Sequence, residues 1–429
     1  MNTAAESVDT SSGDAPEEAP RKKIVVEKLA KIFGSRPERA LKLLDQGRDK
    51  QEILAETGQA VGLADVSFDV REGEILVVMG LSGSGKSTLI RCINRLIEPT
   101  SGRITVDGQD VLSLDSKGLR ELRRKKFGMV FQNFALLPHR DVVTNVEYGL
   151  EIQDVPKDER EKRAMEALKL VGLEGWEHAS PDQLSGGMRQ RVGLARALAV
   201  DPDILLMDEA FSALDPLIRR DMQHELISLQ ERMQKTILFI THDLDEALKI
   251  GDRIVLMKDG RVVQVGTAED ILTAPASEYV ERFVEDVDKS KVLTAQAVMT
   301  RARIVAFPGD GPRTVLHKMR EESLPDIFVV KRDYTLQGVA WASEIADAAK
   351  RGDRTIEKLV HTDITAVGPD EPLTGLINLL AESEVPVPVV DENRKLLGMV
   401  AMGAVLSALA ESGAESPDSE AESDAEAGA

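Results

Sequence analysis

Cysteine is almost missing from this chain, since Cys92 is the only one among 429 residues. A single cysteine excludes an internal disulfide, and we expect the protein to work in a reducing compartment. Cys92 stands in a predicted helix, where a buried thiol that fills space is far more common than a reactive one. We therefore assign Cys92 a packing role.

Long hydrophobic runs are missing as well. No apolar stretch approaches the roughly 18–20 residues needed to span a bilayer, so we expect the chain to cross no membrane. The first 20 residues are rich in Ser, Ala, Asp and Glu without an apolar segment, unlike a secretory signal. With 42% apolar and 30% charged residues, the composition is that of a soluble globular protein with room for two or three domains.

Positive charge is outweighed, because 74 acidic residues stand against 54 basic ones and the formal net charge is −20. Residues 1–20 contain five acidic and no basic residues, and residues 411–429 contain seven acidic and no basic residues. Such segments are typical of disordered, solvated tails, which is what we predict for both. The chain has no basic stripe studded with aromatic residues, so we expect no nucleic-acid partner.

One short segment dominates what the sequence does contain. Residues 80–88 match the pattern G-x-x-x-x-G-K-S, between an apolar segment (74–79) and a segment with helical spacing (89–96). A buried parallel strand, a glycine loop and a helix form the context that a phosphate-binding P-loop requires. A glycine-rich turn that matches by chance is the alternative. The segment consists of Gly80, Leu81, Ser82, Gly83, Ser84, Gly85, Lys86, Ser87 and Thr88.

A P-loop predicts nucleotide chemistry. Its glycines let backbone N–H groups turn inward, and the N-terminus of the following helix adds partial positive charge, so a triphosphate binds better than a neutral ligand. Lys86 would reach the β- and γ-phosphates, and the Ser87 hydroxyl would ligate Mg²⁺. The expected cofactors are therefore a nucleoside triphosphate and Mg²⁺.

Two carboxylates, Asp208 and Glu209, directly follow the apolar segment 203–207. In open α/β sheets, the chemistry lies at the carboxyl ends of parallel strands. Asp208 would hold Mg²⁺ through water, and Glu209 would orient or deprotonate an attacking water molecule. An acidic surface turn is the alternative, but it does not explain the apolar residues before the pair. The apolar segment 235–240 would bring His242 to the same edge.

A second glycine motif opens another predicted helix. Ser185, Gly186 and Gly187 precede a segment with helical spacing, and bare N–H groups at a helix start suit an anion. Residues 36–57 have helical spacing on both sides of Gly47 and are interpreted as a helical hairpin insertion.

Together these segments resemble an ATP-binding-cassette (ABC) ATPase over about residues 24–285. The matching positions are Walker A (80–87), the Q-loop glutamine (Gln132), the signature (184–188), Walker B (204–208) with Glu209, the D-loop (212–215) and the H-loop (His242). Met188 stands where most cassettes have glutamine. The resemblance implies an α/β ATPase domain over residues 21–288, with a mixed sheet core, an antiparallel β subdomain and a helical subdomain at about 138–200.

The resemblance also implies roles for individual residues. The catalytic residues would be Glu209 as the base, His242, Lys86 and Gln132. ATP would be bound by Phe33, which would stack on adenine, and by Gly80, Ser82, Gly83, Ser84, Gly85, Lys86, Ser87, Thr88, Ser185, Gly186, Gly187 and Asp215. Mg²⁺ would be held by Ser87, Gln132 and Asp208. Two copies would form a head-to-tail homodimer, in which residues 185–187 of each clamp the γ-phosphate bound by the other.

A narrower resemblance is to the ATP-binding subunits of glycine betaine/L-proline importers, the quaternary amine uptake transporters. It is carried by residues 81–85, 94–100, 134–140 and 208–219 and by the insertion at 36–57. It implies permease subunits docked near the Q-loop, an indirect partnership with a substrate-binding protein, and a peripheral location at the cytoplasmic face of the inner membrane. An importer of amino acids such as methionine is one alternative. A soluble cassette protein of translation or repair is another, although such proteins usually contain two fused cassettes or a long coiled-coil insertion.

Beyond residue 288 the sequence repeats itself at an offset of 60 residues. The repeat predicts two β-α-β-type units packed on each other. Over residues 289–410 it resembles a tandem pair of CBS domains (α+β), the regulatory module that betaine importers often carry. Such pairs commonly bind adenine nucleotides, but Glu344 and Ala404 stand where the ribose-binding Asp is usual. The matches are 312–316 with 372–376, Val329-Val330 with Val389-Val390, and Gly338 with Gly398.

The charge of the repeats suggests a membrane contact. Residues 289–360 carry 13 basic and 9 acidic residues, and residues 361–410 carry 2 and 7. A basic first repeat would lie against anionic lipid headgroups, gaining about 1 kcal/mol per close Lys or Arg. Salt would release it, because the Debye length falls from about 10 to 3 Å between 0.1 and 1 M ionic strength, and ATPase activity would then follow osmotic stress. Ordinary surface scatter and a purely structural brace for the dimer are the alternatives.

Overall fold

The computed structural model describes residues 20–132, 134–285, 287–383 and 385–410. The acidic tails predicted at 1–20 and 411–429 lie outside these residues, except for Pro20. The chain divides into two compact units, Met1–Thr267 and Ala268–Ala429. This division falls earlier than the domain boundary predicted at residue 288. Within the described part of the chain, no helix is long and apolar enough to span a membrane.

The first unit contains ten strands and nine α-helices among the described residues. The strands are β1 (Lys22–Phe33), β2 (Ala60–Arg71), β3 (Ile75–Met79), β4 (Ser101–Val106), β5 (Gln109–Asp110), β6 (Phe127–Phe131), β7 (Ile204–Asp208), β8 (Thr236–Thr241), β9 (Arg253–Lys258) and β10 (Arg261–Gly266). The helices are α1 (Pro37–Asp45), α2 (Lys50–Thr57), α3 (Lys86–Ile93), α4 (Ser116–Lys126), α5 (Val142–Ile152), α6 (Lys157–Leu170), α7 (Gly186–Ala199), α8 (Pro216–Met233) and α9 (Leu244–Ile250).

The larger sheet of this unit has the order β10-β9-β3-β8-β7-β6. Five strands are parallel and β10 runs antiparallel to β9, so the predicted mixed sheet is confirmed. β3, β7 and β8 are buried at every position, as expected for parallel strands covered on both faces. Met79 of β3 pairs with Thr241 of β8, and Phe131 of β6 pairs with Asp208 of β7. The loops after these four strands therefore all begin on the same side of the sheet, at the carboxyl ends of the strands.

The smaller sheet is antiparallel, with the order β2-β1-β4-β5. α1 and α2 connect β1 to β2, where Ala40, Leu44 and Ile53 of these helices cluster with Ala30 and Ile32 of β1. α5, α6 and α7 pack against one another between β6 and β7 in the chain. A mixed sheet, an antiparallel sheet and a helical group are the three parts expected of an ABC-type ATPase.

The second unit contains seven α-helices and four strands among its described residues. The helices are α10 (Ala268–Thr273), α11 (Glu278–Val284), α12 (Ala295–Val298), α13 (Pro312–Glu321), α14 (Ala342–Arg351), α15 (Leu373–Glu382) and α16 (Met402–Ala410). The strands are β11 (Asp326–Val330), β12 (Leu336–Trp341), β13 (Val387–Val390) and β14 (Leu396–Val400).

The four strands form two hairpins that follow the predicted repeat. Val329 pairs with Gly338 in the first hairpin, and Val389 pairs with Gly398 in the second. Each register shifts immediately afterwards, at equivalent positions. The sequence repeat is therefore a repeat of the backbone as well.

The turns of the two hairpins bond to each other. The Leu336 N–H donates to the Arg394 carbonyl at 2.9 Å, and the Leu396 N–H donates to the Tyr334 carbonyl at 3.0 Å. Tyr334 and Arg394 both adopt left-handed backbone angles, with φ of 65° and 59°. The pair of hairpins is thus joined by reciprocal bonds.

Gly338 allows a sharp test of the packing in the second unit. A Cβ at this position would lie 2.1 Å from the backbone carbonyl oxygen of His361. We expect Gly338→Ala to lower the free energy of unfolding of this unit by about 1–3 kcal/mol, the usual cost of overpacking. Gly403→Ala is the matched control, because a Cβ there meets no atom of the described residues within 4 Å. Urea unfolding of the full chain measures both variants, and equal stabilities would contradict this close contact.

Candidate active site

The loop after β3 curls because three of its glycines adopt left-handed backbone angles. Gly80, Gly83 and Gly85 have φ of 147°, 78° and 103°. A Cβ at Gly80 would lie 2.2 Å from the Met257 carbonyl oxygen, and one at Gly85 would lie 2.6 Å from the Gly62 carbonyl oxygen. These two positions therefore exclude any side chain, and α3 begins directly behind them.

Lys86 lies inside this loop. Its side chain is buried, and Nζ donates to the carbonyl oxygens of Gly80 at 2.7 Å and Leu81 at 3.1 Å. Burial lowers the pKa of the Lys86 ammonium below its usual value, and the nearby carboxylates of Glu209 and Asp208 oppose that shift. A buried ammonium group held by loop carbonyls has the charge that phosphate oxygens require of a partner.

The other residues of this loop differ in how much of each is exposed to solvent. Ser82 and Gly83 are exposed, and Thr88 is half-buried in the first turn of α3. Ser84 is buried, and its carbonyl oxygen accepts from the Gly260 N–H at 3.0 Å. The loop is thereby fixed to the turn between β9 and β10.

The predicted metal ligands Ser87 and Asp208 meet where the start of α3 lies beside the end of β7. Ser87 Oγ donates to Asp208 Oδ1 at 3.0 Å, and Arg91 Nη2 lies 3.6 Å from Asp208 Oδ2. A hydroxyl and a carboxylate are hard oxygen ligands, and Mg²⁺ usually takes only one or two carboxylates besides water and phosphate oxygens. The donor set therefore fits Mg²⁺ beside a P-loop.

Two predicted catalytic groups, Gln132 and His242, lie beside the carboxylate of a third, Glu209. Gln132 Nε2 donates to Glu209 Oε2 at 3.2 Å and to Ser212 Oγ at 3.1 Å. His242 Nδ1 lies 3.5 Å from the same Glu209 oxygen. Glu209 has a left-handed backbone with φ of 48°, held by its N–H, which donates to the Ile240 carbonyl at 3.0 Å. Such strain in a residue other than glycine is typical of functional sites.

The signature residues form a second group at the start of α7, beside the start of α8. Ser185 caps α7, since its Oγ accepts from the Met188 N–H at 3.3 Å. A Cβ at Gly187 would lie 2.5 Å from Ile218 Cγ2. Asp215 caps α8 by accepting from the Ile218 N–H at 3.1 Å. Ser185 and Asp215 thus cap their own helices, and the contact of Gly187 with Ile218 joins the start of α7 to the start of α8. Gly186 stands at the first position of α7.

Phe33, the predicted adenine partner, lies at the end of β1. Its side chain is 42% exposed, and Lys31 Nζ lies 5.2 Å from the ring centroid. A Cβ at Gly62 would lie 2.7 Å from the ring, so one edge is closely packed. An exposed aromatic face remains available for stacking on a base.

Two arginines of the site were not assigned a role from the sequence. Arg91 pairs with Asp208, and Arg219 Nη1 donates to Asp243 Oδ2 at 3.0 Å. No motif signalled either contact, because each joins segments that only the sheet brings together.

Comparison with known proteins identifies both parts of the chain. A family model described as ABC transporter matches residues 63–212, and one described as CBS domain matches residues 356–411. The chain is 56% identical over 387 residues to the glycine betaine/carnitine transport ATP-binding protein GbuA of Listeria monocytogenes, covering 90% of this chain and 97% of that protein. It is 55% identical over 388 residues to the glycine betaine transport ATP-binding protein OpuAA of Bacillus subtilis, covering 90% and 92%.

A solved structure agrees with the fold of the first unit. The cbiO1 protein from Clostridium perfringens, part of the ABC transporter complex cbiONQ, matches with a TM-score of 0.50 and 28% identity, over 62% of this chain and 95% of that chain. The predicted resemblance to a cassette ATPase followed by CBS sequence is therefore confirmed. Because more than half of the aligned residues are identical over nearly the full length of both relatives, the chain belongs to the family of ATP-binding proteins of glycine betaine ABC transporters.

Proposed function

We propose that this chain hydrolyses ATP to power the import of glycine betaine or a related compatible solute through a membrane transporter. The observation that carries the proposal is the cluster around the Glu209 carboxylate, where Gln132 and His242 meet at the sheet edge that also holds Lys86. The names of the relatives support betaine over an amino acid as the solute.

ATP binding is assigned to the P-loop. The loop N–H groups, the N-terminus of α3 and the Lys86 ammonium would hold the β- and γ-phosphates, while Phe33 stacks on adenine. Ser87 and Asp208 would hold Mg²⁺, with Gln132 as a further ligand. The bound ion would neutralise the charge that develops on the transferred phosphoryl group.

Hydrolysis is assigned to Glu209. Its carboxylate would take a proton from the attacking water, while Gln132 and His242 keep that carboxylate aimed at the γ-phosphate. Since phosphoryl transfer demands little covalent chemistry from the protein, positioning and electrostatics account for the rate.

We expect Glu209→Gln to bind MgATP with unchanged affinity and to hydrolyse it about 10²–10⁴-fold more slowly, because a general base contributes about that factor. Glu231→Gln is the matched control, since Glu231 is exposed on α8. Equilibrium binding of a fluorescent ATP analogue and release of inorganic phosphate measure the two quantities. Near-normal turnover in Glu209→Gln would remove that residue from the role of base.

A second copy of the chain would complete the site. Ser185, Gly186 and Gly187 lie against the start of α8, whereas Lys86 lies in the P-loop group. The free N–H groups at the start of α7 suit a phosphate. In a head-to-tail homodimer they would clamp the γ-phosphate bound by the partner, with Asp215 at the same interface.

We expect Gly186→Asp to prevent the dimer that MgATP induces in the Glu209→Gln variant, because the new carboxylate would repel the phosphate. The monomer should keep its stability, since Asp is favourable in a first helical turn and a Cβ there lies 3.8 Å from Leu214 Cδ2. Gly186→Ala, which adds no charge, is the control. Light scattering with and without MgATP reports the mass, and an equally stable Gly186→Asp dimer would contradict the proposed clamp.

A groove beside the Q-loop supports docking of permease subunits. It has a volume of about 380 Å³, and its lining includes the exposed side chains of Phe131, Tyr148 and Ile152. One wall is fixed by Arg196, whose Nη1 donates to the Ala135 carbonyl at 2.6 Å. A short apolar segment of a membrane subunit would fit here. The substrate-binding protein would then act only through the permease, and the chain would lie at the cytoplasmic face of the inner membrane.

The CBS module, residues 289–410, would regulate this activity by contact with anionic lipid. Some exposed basic side chains of its first repeat pair with carboxylates, as Arg303 does with Glu322. Five others have no carboxylate of the described residues within 4 Å: Arg301, Arg313, Arg320, Arg332 and Arg354. Unpaired charge of this kind is attracted to an anionic membrane and is released by salt.

Vesicles that contain the transporter and its binding protein test both the solute and the regulation. We expect betaine-stimulated ATP hydrolysis to rise with salt when the vesicles contain anionic lipid, and to lose most of this dependence in neutral vesicles. The double variant Arg313→Glu/Arg320→Glu should respond at lower salt, because its lipid contact is weaker. The same salt dependence in anionic and neutral vesicles would contradict the proposed contact between the CBS module and anionic lipid. If an amino acid but not betaine stimulated ATP hydrolysis, the proposal that betaine is the transported solute would be wrong.

A further inference from the structure

We infer that Arg219 is a positioning residue that couples the D-loop, residues 212–215, to His242. The inference rests on the proposed function, because it concerns the same ATP-hydrolysing site. Arg219 lies in the first turn of α8, and 26% of its side chain is exposed. Arg219 belongs to none of the motifs that were matched to an ABC ATPase.

One guanidinium joins two segments that are distant in the chain. Arg219 Nη2 donates to the D-loop carbonyl oxygens of Ser212 at 3.4 Å and Leu214 at 3.3 Å. Its Nη1 donates to Asp243 Oδ2 at 3.0 Å. A charged, planar donor fork is suited to hold a carboxylate and carbonyls in one fixed arrangement.

The contacts of Asp243 also restrain the backbone of His242, its neighbour in the chain. Asp243 Oδ1 caps α9 by accepting from the Glu246 N–H at 3.1 Å, and the Asp243 N–H donates to Thr241 Oγ1 at 3.0 Å. The His242 side chain is 55% exposed, so its position depends mainly on the backbone beside it.

The D-loop end of the link reaches Glu209. Ser212 Oγ donates to the Glu209 carbonyl at 2.9 Å, and Gln132 Nε2 donates to Ser212 Oγ at 3.1 Å. Glu209, Ser212, Arg219 and Asp243 therefore form a closed circuit with His242. A displacement of the D-loop by a second copy would reach both Glu209 and His242 through it.

Measurement of kcat shows whether Arg219 positions the catalytic groups or only supports α8. We expect Arg219→Gln to lower kcat about 10- to 100-fold while the KM for ATP changes little, because small misplacement of a catalytic group costs up to about that factor. Arg220→Gln is the matched control, since Arg220 is the exposed neighbour on the same helix. Equal kcat values for the two variants would overturn the inference.

Asp243→Asn provides a test that preserves the fold. Asn caps a helix as well as Asp does, so the melting temperature should hold while the charge pair with Arg219 is lost. We expect the same loss of kcat as in Arg219→Gln, and no further loss in the double variant. Full activity of Asp243→Asn would count against the link.

The decisive experiment repeats Arg219→Gln in a His242→Ala background. If Arg219 acts through His242, the second change should lower kcat less than about twofold, whereas independent effects would multiply. A full multiplied loss would overturn the inference. Failure of the unaltered chain to hydrolyse ATP, or normal turnover in Glu209→Gln, would instead contradict the proposed function.

Discussion

The hydrogen-bond register of four parallel strands is the constraint on which the site depends. Buried backbone groups must be paired, and a slip of one residue would turn every side chain of a strand to the opposite face. The strands β3, β8, β7 and β6 therefore end in line. As a result, Lys86, Gln132, Glu209 and His242 converge, although more than 150 residues separate the first from the last.

Strain and burial balance each other at this edge. Glu209 holds a left-handed backbone, which costs of order 1–3 kcal/mol in a residue with a side chain. Full burial of β7 immediately before it and the bond to the Ile240 carbonyl keep the turn in place. Lys86 is a second unfavourable element, since burial works against its charge. Both lie beside strands that are fully buried and paired in register.

Much of this arrangement could be predicted because its signals are local. The glycine pattern before Lys86 and the apolar run before Asp208 each lie within about ten residues, and both specify a strand followed by a functional loop. The pairing of Arg219 with Asp243 could not be predicted, since it depends on how two helices approach in space. The same holds for Gly338, whose need for glycine comes from a carbonyl of another segment. The first unit ends at Thr267, before the boundary predicted at residue 288, because that boundary marks only where the internal repeat begins.

The reciprocal bonds between the hairpin turns have a consequence for how the CBS module behaves mechanically. Leu336 and Leu396 each complete the backbone pairing of the opposite repeat, and Phe328 and Val390 share one core beneath them. If the two repeats separated, the Leu336 and Leu396 N–H groups would lose their partners. The apolar core that the repeats share would also be exposed to water. We therefore expect the two repeats to move together, so that a displacement of one also displaces the other.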